Sequence, residues 1–131
     1  PHPAKAKPVD CGGCHEDEAK RYAKSVHGAY LTTHPEARDV PTCSSCHTKH
    51  AIVPSKDERA STHKKNLPAT CGLCHGRESL RKAHGIGLTV EDYTKSVHGV
   101  AVIEKGNLKA AGCTDCHSSH ALQRRSCDAF G

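Results

Sequence analysis

Apolar residues in this chain come singly or in short runs. The longest, such as Val100 to Ile103, fall far below the roughly 20 residues that a membrane-crossing helix needs. Gly, Pro and charged residues are spread between them. The pattern predicts a mainly irregular chain with a few short α-helices and little or no β-sheet. Two stretches carry a helical signature. EDEAKRYAKSVHG (16–28) consists of good helix formers and ends in Gly28, a residue suited to a left-handed C-terminal cap. TVEDYTKSVHG (89–99) opens with Thr89 as a capping residue that Asp92 answers, and ends at Gly99. The expectation is one helix in each place, with His27 and His98 in its last turn.

The similarity of these stretches belongs to a larger duplication. YAKSVHG (22–28) returns as YTKSVHG (93–99), and CSSCHTKHAI (43–52) returns as CTDCHSSHAL (113–122). One domain, 1–131, is therefore expected, built of two halves at about 11–52 and 71–122, with a polar, proline-containing linker at 54–68. The second half carries eleven extra residues before its KSVHG, an insertion loop that includes His84.

Composition changes the picture at this point. Only 35% of the 131 residues are hydrophobic, and the aromatics are Tyr22, Tyr30, Tyr93 and Phe130. That is thin material for a core, so something other than aliphatic packing must organise the chain. The nine cysteines and twelve histidines are the candidates. Eight cysteines form four pairs, Cys11/Cys14, Cys43/Cys46, Cys71/Cys74 and Cys113/Cys116, followed at once by His15, His47, His75 and His117. Chance would place a histidine after all four less than about once in ten thousand. The odd Cys127 is a free thiol, an interchain disulfide partner or a single attachment point.

Cys-x-x-Cys-His is the attachment pattern of c-type haem. Residues i and i+3 on one helical turn face the same way, so both sulfurs reach the vinyl groups on one porphyrin edge while the next residue lies under the iron. Four motifs imply four covalently bound haem c groups. A zinc reading would use the same cysteines as two four-thiolate sites and leave the four adjacent histidines as coincidence. A redox Cys-x-x-Cys lacks its strand and helix framework, and a Cys/His nucleophile has no reason to occur four times.

Each iron has a second axial position. The chain has no Met, so histidine is the expected ligand there, and the duplication selects His27 and His98 in KSVHG with His50 and His120 in CxxCHxxHA. The porphyrin stands between His50 or His120 and the iron of its own motif, so each is expected to serve a neighbouring haem. His2, His34, His63 and His84 are surplus: His34 and His84 read as solvated loop residues, and His2 and His63 are placed to reach a neighbouring chain. The formal charge of +5 is no nucleic-acid signal here. Four bis-histidine haems with ionised propionates would bring it to about +1 oxidised and about −3 reduced. The Lys/Arg excess, including Arg124 and Arg125, reads as a propionate counter-charge. The apoprotein is expected to be largely unfolded. A chain beginning at Pro1 is expected to be a processed one.

Taken together, the four CxxCH motifs, the two KSVHG segments and the two CxxCHxxHA segments, over about residues 11–122, resemble the multihaem c-type cytochromes. Within them the chain looks most like the small tetrahaem cytochromes that polymerise into extracellular filaments. The resemblance implies a haem-cored fold, bis-histidine ligation with a ligand sometimes donated across a subunit interface, and electron transfer rather than enzymatic catalysis. The implied partners are further copies of the chain, other redox proteins or extracellular electron acceptors, without nucleic acid or a membrane span. The location would be extracellular or on the cell surface. The alternatives are a soluble periplasmic electron shuttle, or an oxidoreductase subunit with one open haem site.

Overall fold

The computed structural model describes residue 7, residues 9–87 and residues 89–124. Among these the regular structure is entirely helical and the helices are short. The first half holds a 3-10 turn (Cys11–Gly13), α1 (Glu16–Ala23), α2 (Val26–Thr33) and α3 (Cys43–His47). The second holds α4 (Leu67–His75), α5 (Glu78–His84), α6 (Val90–Lys95), α7 (Val97–Ile103) and α8 (Cys113–His117). No strand occurs among the described residues, in agreement with the expected fold class, and none of their helices is long and apolar enough to cross a membrane.

The helix over 16–28 is in fact two helices meeting at a corner, and so is its counterpart. Ser25 ends the first and caps the second. Its hydroxyl donates to Tyr22 O (2.6 Å) and accepts the Gly28 N–H (3.0 Å). Ser96 repeats both bonds, to Tyr93 O (2.6 Å) and from Gly99 (3.1 Å). Gly28 and Gly99 are thus not C-caps. They lie in the first turn of α2 and α7, where a Cβ would stand 2.1 Å from the carbonyl oxygen of Tyr22 or Tyr93. Likewise His27 and His98 open the second helix rather than close the first. The Thr89 box is present: Asp92 N–H donates to Thr89 Oγ1 (3.1 Å) and Thr89 N–H to the Asp92 carboxylate (2.7 Å).

Buried apolar side chains are scarce, with Ala60, Leu67 and Val102 forming the hydrophobic core of the described residues. Two of the three fall in 54–68, so that stretch is a packed junction rather than a free linker. Asn66 Nδ2 donates to the carbonyls of Glu58 and Ala60 (both 2.8 Å). The Ser61 hydroxyl donates to Cys46 O, and Thr70 Oγ1 to Ser61 O (2.6 Å). Lys64 reaches Leu108 O (2.9 Å) and Asp115 (2.8 Å), and that contact holds the Asp115 carboxyl below its ordinary range.

The insertion is a helix, α5, closed by Gly85 in the left-handed region (φ 63). It returns to the first half. His84 Nε2 hydrogen-bonds Asp39 (2.8 Å) and the His84 ring meets Tyr30 edge-on at 5.2 Å. This bond draws the Asp39 carboxyl below its usual range. His84 is therefore a clamp between halves and not a loop residue.

The corner geometry makes a specific demand. Gly28→Ala or Gly99→Ala should destabilise the protein by about 2–3 kcal/mol, the cost of overpacking a site that cannot open. Gly87→Ala, where a Cβ meets nothing within 4 Å, should change stability by less than about 0.5 kcal/mol. Thermal unfolding of the three variants checks this.

Candidate metal centres

The four Cys-x-x-Cys-His segments begin as helical turns. Motifs two and four are the whole of α3 and α8, motif three ends α4, and motif one is a 3-10 turn in which His15 N–H reaches Cys11 O (2.9 Å). Each of the second-type motifs is anchored from its own corner. Tyr22 OH donates to Pro41 O (2.6 Å) and Tyr93 OH to Ala111 O (2.9 Å), in each case two residues before the motif. The phenol thus ties the helix bearing His27 or His98 to the helix bearing His47 or His117. This tie was visible in the sequence only as the recurrence of Tyr and Ser in YxKSVHG.

Immediately after His47 and His117 the chain reverses through an unusual conformation. Thr48 (φ 67, ψ 179) and Ser118 (φ 67, ψ 172) occupy a region that residues with a Cβ avoid. The same turn in both halves carries His50 and His120 away from the preceding histidine.

His120 lies against His47, with ring centroids 6.0 Å apart and planes at 12°. His27 lies against His75, with centroids 6.2 Å apart and planes at 62°. Each pair joins a motif histidine of one half to a non-motif histidine of the other. Two imidazoles on opposite sides of one metal ion, bonded at about 2.0–2.1 Å with ring centres about 1.1 Å behind the nitrogens, have centroids about 6.3 Å apart. Both pairs match that separation. Burial pushes His27, His47 and His75 below the ordinary imidazole range, and each has a further imidazole beside it: His75 for His27, His120 and then His15 for His47, His117 for His75. They are neutral at pH 7, with the lone pairs a metal requires.

The thiols form a row in the order of the motifs. Cys11 hydrogen-bonds Cys43 and Cys71 hydrogen-bonds Cys113, raising the thiols of Cys43 and Cys71. Burial raises Cys46, and Cys74 beside it adds to the effect. So motif one neighbours two, two neighbours three, and three neighbours four. A cleft of ≈ 780 Å³ is lined by Cys11, Tyr22, Cys43, His50 and Ile52 among others. Among the described residues no three His, Cys, Asp or Glu side chains converge as a ligand set. The cysteines are therefore not drawn into the four-thiolate clusters that structural zinc needs.

Comparison with known proteins returned no match: no protein-family model, curated protein or solved structure aligns with the chain. The case for a cofactor rests on the chain itself.

His117 gives a further test of fit. Its Nδ1 lies 3.0 Å from Gln123 O, and a carbonyl only accepts, so Nδ1 carries the proton and Nε2 is left as the ligating atom. The surplus histidines differ. His84 spends Nε2 on Asp39. His63, only 4% exposed, accepts the Lys65 N–H at Nδ1 (3.3 Å) and so bears its proton on Nε2; it is an interior residue, not one reaching outward. His34 stacks on Tyr30 at 4.1 Å. His2, Arg125 and Cys127 lie outside the described residues. The residues thus fit haem c: thioethers at the four cysteine pairs, His47 with His120 and His75 with His27 as axial pairs, and His15 and His117 as single axial ligands from within the chain.

The strained turns carry their own prediction. Thr48→Gly should stabilise the protein by about 1 kcal/mol, the strain relieved less the entropy glycine adds. Denaturant titration measures the gain, and cofactor content should stay the same.

Proposed function

We propose that this protein transfers electrons outside the cytoplasm through four covalently attached haem c groups, and that it works as a subunit of a polymer delivering electrons to other redox proteins or extracellular acceptors. The observation that supports this reading best is the pair of imidazole couples, His47 with His120 and His27 with His75, at 6.0 and 6.2 Å. Both centres draw one histidine from each half, as the spacing of a six-coordinate iron requires. A bound haem supplies a one-electron iron(III)/iron(II) couple of low potential when both axial ligands are histidine.

The chain's own residues do the rest. The thiols of each motif hold a porphyrin edge, and the row from Cys11 through Cys43, Cys46, Cys74, Cys71 and Cys113 keeps neighbouring centres close. Axial saturation of the two middle centres excludes small molecules from their irons. The Tyr22 and Tyr93 ties hold the axial helices still, which keeps the reorganisation accompanying a change of iron charge small. No acid, base or nucleophile stands apart from these ligands, so the reading is a conductor of electrons and not an enzyme.

Mass spectrometry and the reduced visible spectrum test it. The purified protein should carry the mass of four haems on the peptides containing the four cysteine pairs, and show the sharp α-band of haem c. Cys71→Ser with Cys74→Ser should remove one haem. His120→Ala should create a centre that binds carbon monoxide when reduced, while His34→Ala should not. Stoichiometric zinc without haem would overturn the proposal.

A further inference from the structure

The two halves are joined by a small set of contacts, each pairing a first-half residue with a second-half residue. His27 faces His75 and His120 faces His47. Val26 N–H donates to Leu122 O (2.9 Å). Cys46 neighbours Cys74. Because the halves are repeats, every one of these residues has a counterpart one half further along. The counterparts of His27, His47, Val26 and Cys46 are His98, His117, Val97 and Cys116. Those of His75, His120, Leu122 and Cys74 are His15, His50, Ile52 and Cys14.

We propose that copies of this chain join head to tail by forming the same joint between subunits: His98 stands opposite the next copy's His15, and the next copy's His50 stands opposite His117. In this joint Val97 N–H meets the next copy's Ile52 carbonyl, and Cys116 neighbours its Cys14. The inference rests on the haem reading above and names the partner that completes its two terminal centres.

The pattern of exposure supports it. His27, His47, His75 and His120, used in the internal joint, are all partly buried, whereas His15, His50, His98 and His117 are all exposed. Val26 and Leu122 are partly covered, but Val97 is 78% and Ile52 63% exposed, two of the few large hydrophobic side chains left in solvent. Cys14 is exposed where Cys74 is not. The cleft lined by Cys11, Cys43, His50 and Ile52 lies on the first-half face whose second-half equivalent, with His120 and Leu122, is covered by its neighbour.

Histidine accounting closes in the same way. The end bearing Val97 offers an axial donor, His98, and a centre needing one, at His117. The end bearing Ile52 offers His50 and a centre at His15. The faces are complementary to each other and not to themselves, so the contact is heterologous and propagates as an open polymer unless a rotation happens to close it. A two-fold contact would set His98 against His98 and complete neither centre. The α5 clamp, His84 on Asp39 and Tyr30, has no counterpart in a first half. The joint between subunits lacks it and leans on axial ligation.

Two blocked variants test the joint. Val97→Asp/His98→Ala removes one face and His50→Ala/Ile52→Asp the other, each in haem-loaded protein. Wild type should form filaments in electron micrographs, with carbon monoxide binding confined to filament ends. Each variant alone should be a single chain in which half the haems, those at His15 and His117, bind carbon monoxide on reduction. Mixing the two variants should give dimers and no longer species, and carbon monoxide binding should fall from half of the haems to a quarter. Should the double substitutions prevent haem loading, Val97→Asp and Ile52→Asp alone carry the same test. Polymerisation of either variant by itself, failure of the mixture to pair, or wild type remaining single at high concentration overturns the joint and leaves the haem reading intact. Absence of haem from all samples overturns the haem reading instead.

Discussion

Two imidazoles can be held on opposite sides of a metal ion only if the backbones that carry them are fixed independently of the gap between them. The corner of α1 and α2, repeated in α6 and α7, performs that service. Its serine bonds both helices, its glycine lets the second rest on the first's last carbonyl, and its tyrosine reaches out to the residue two before the following motif. The histidine beside the glycine is thereby set by three separate hydrogen bonds. Its place relative to the motif on the other half follows from how the halves meet.

The same constraint explains how so little apolar material can support a defined structure. With Ala60, Leu67 and Val102 as the buried hydrophobics among the described residues, the fold is a network of local caps and turns around spaces left for larger groups. The polar stretch 54–68 becomes the hub because it alone touches both halves. Through Ser61 it reaches the carbonyl of Cys46, and through Lys64 it reaches Asp115 beside the last motif. The surface ion pairs Glu16–Lys20, Glu78–Lys82 and Glu91–Lys95 are exposed i,i+4 contacts worth only a few tenths of a kcal/mol each. They support individual helices and decide nothing about the arrangement of the halves.

Much of the local structure was legible in the sequence because it depends on residues a few positions apart. The helical turns of the motifs, the Thr89 box and the absence of strands among the described residues are of this kind. The corners were misread for an instructive reason. EDEAKRYAKSVHG contains no helix breaker before its glycine, so propensity runs straight through Ser25. The break comes from Ser25 bonding Tyr22 behind it and Gly28 ahead of it, a competition between side chain and backbone that propensity does not weigh. Residues 54–68 were misread because proline and polar residues look like an exposed connection when the surfaces they pack on are out of view. His84 looked like a loop histidine because its partner, Asp39, lies far away in sequence.

The sequence by itself determined the four motifs, the duplication and the supply of histidines. These are matters of residue type and short spacing, set by covalent reach along one helical turn. Tertiary structure alone decided which histidine faces which: His120 faces His47 and His27 faces His75, across halves rather than within them. No local rule could assign those pairs, since each depends on the strained turn after the motif, the tyrosine tie and the docking of one half on the other. That docking also separates four partly buried histidines from four exposed ones, a distinction invisible in two nearly identical repeats.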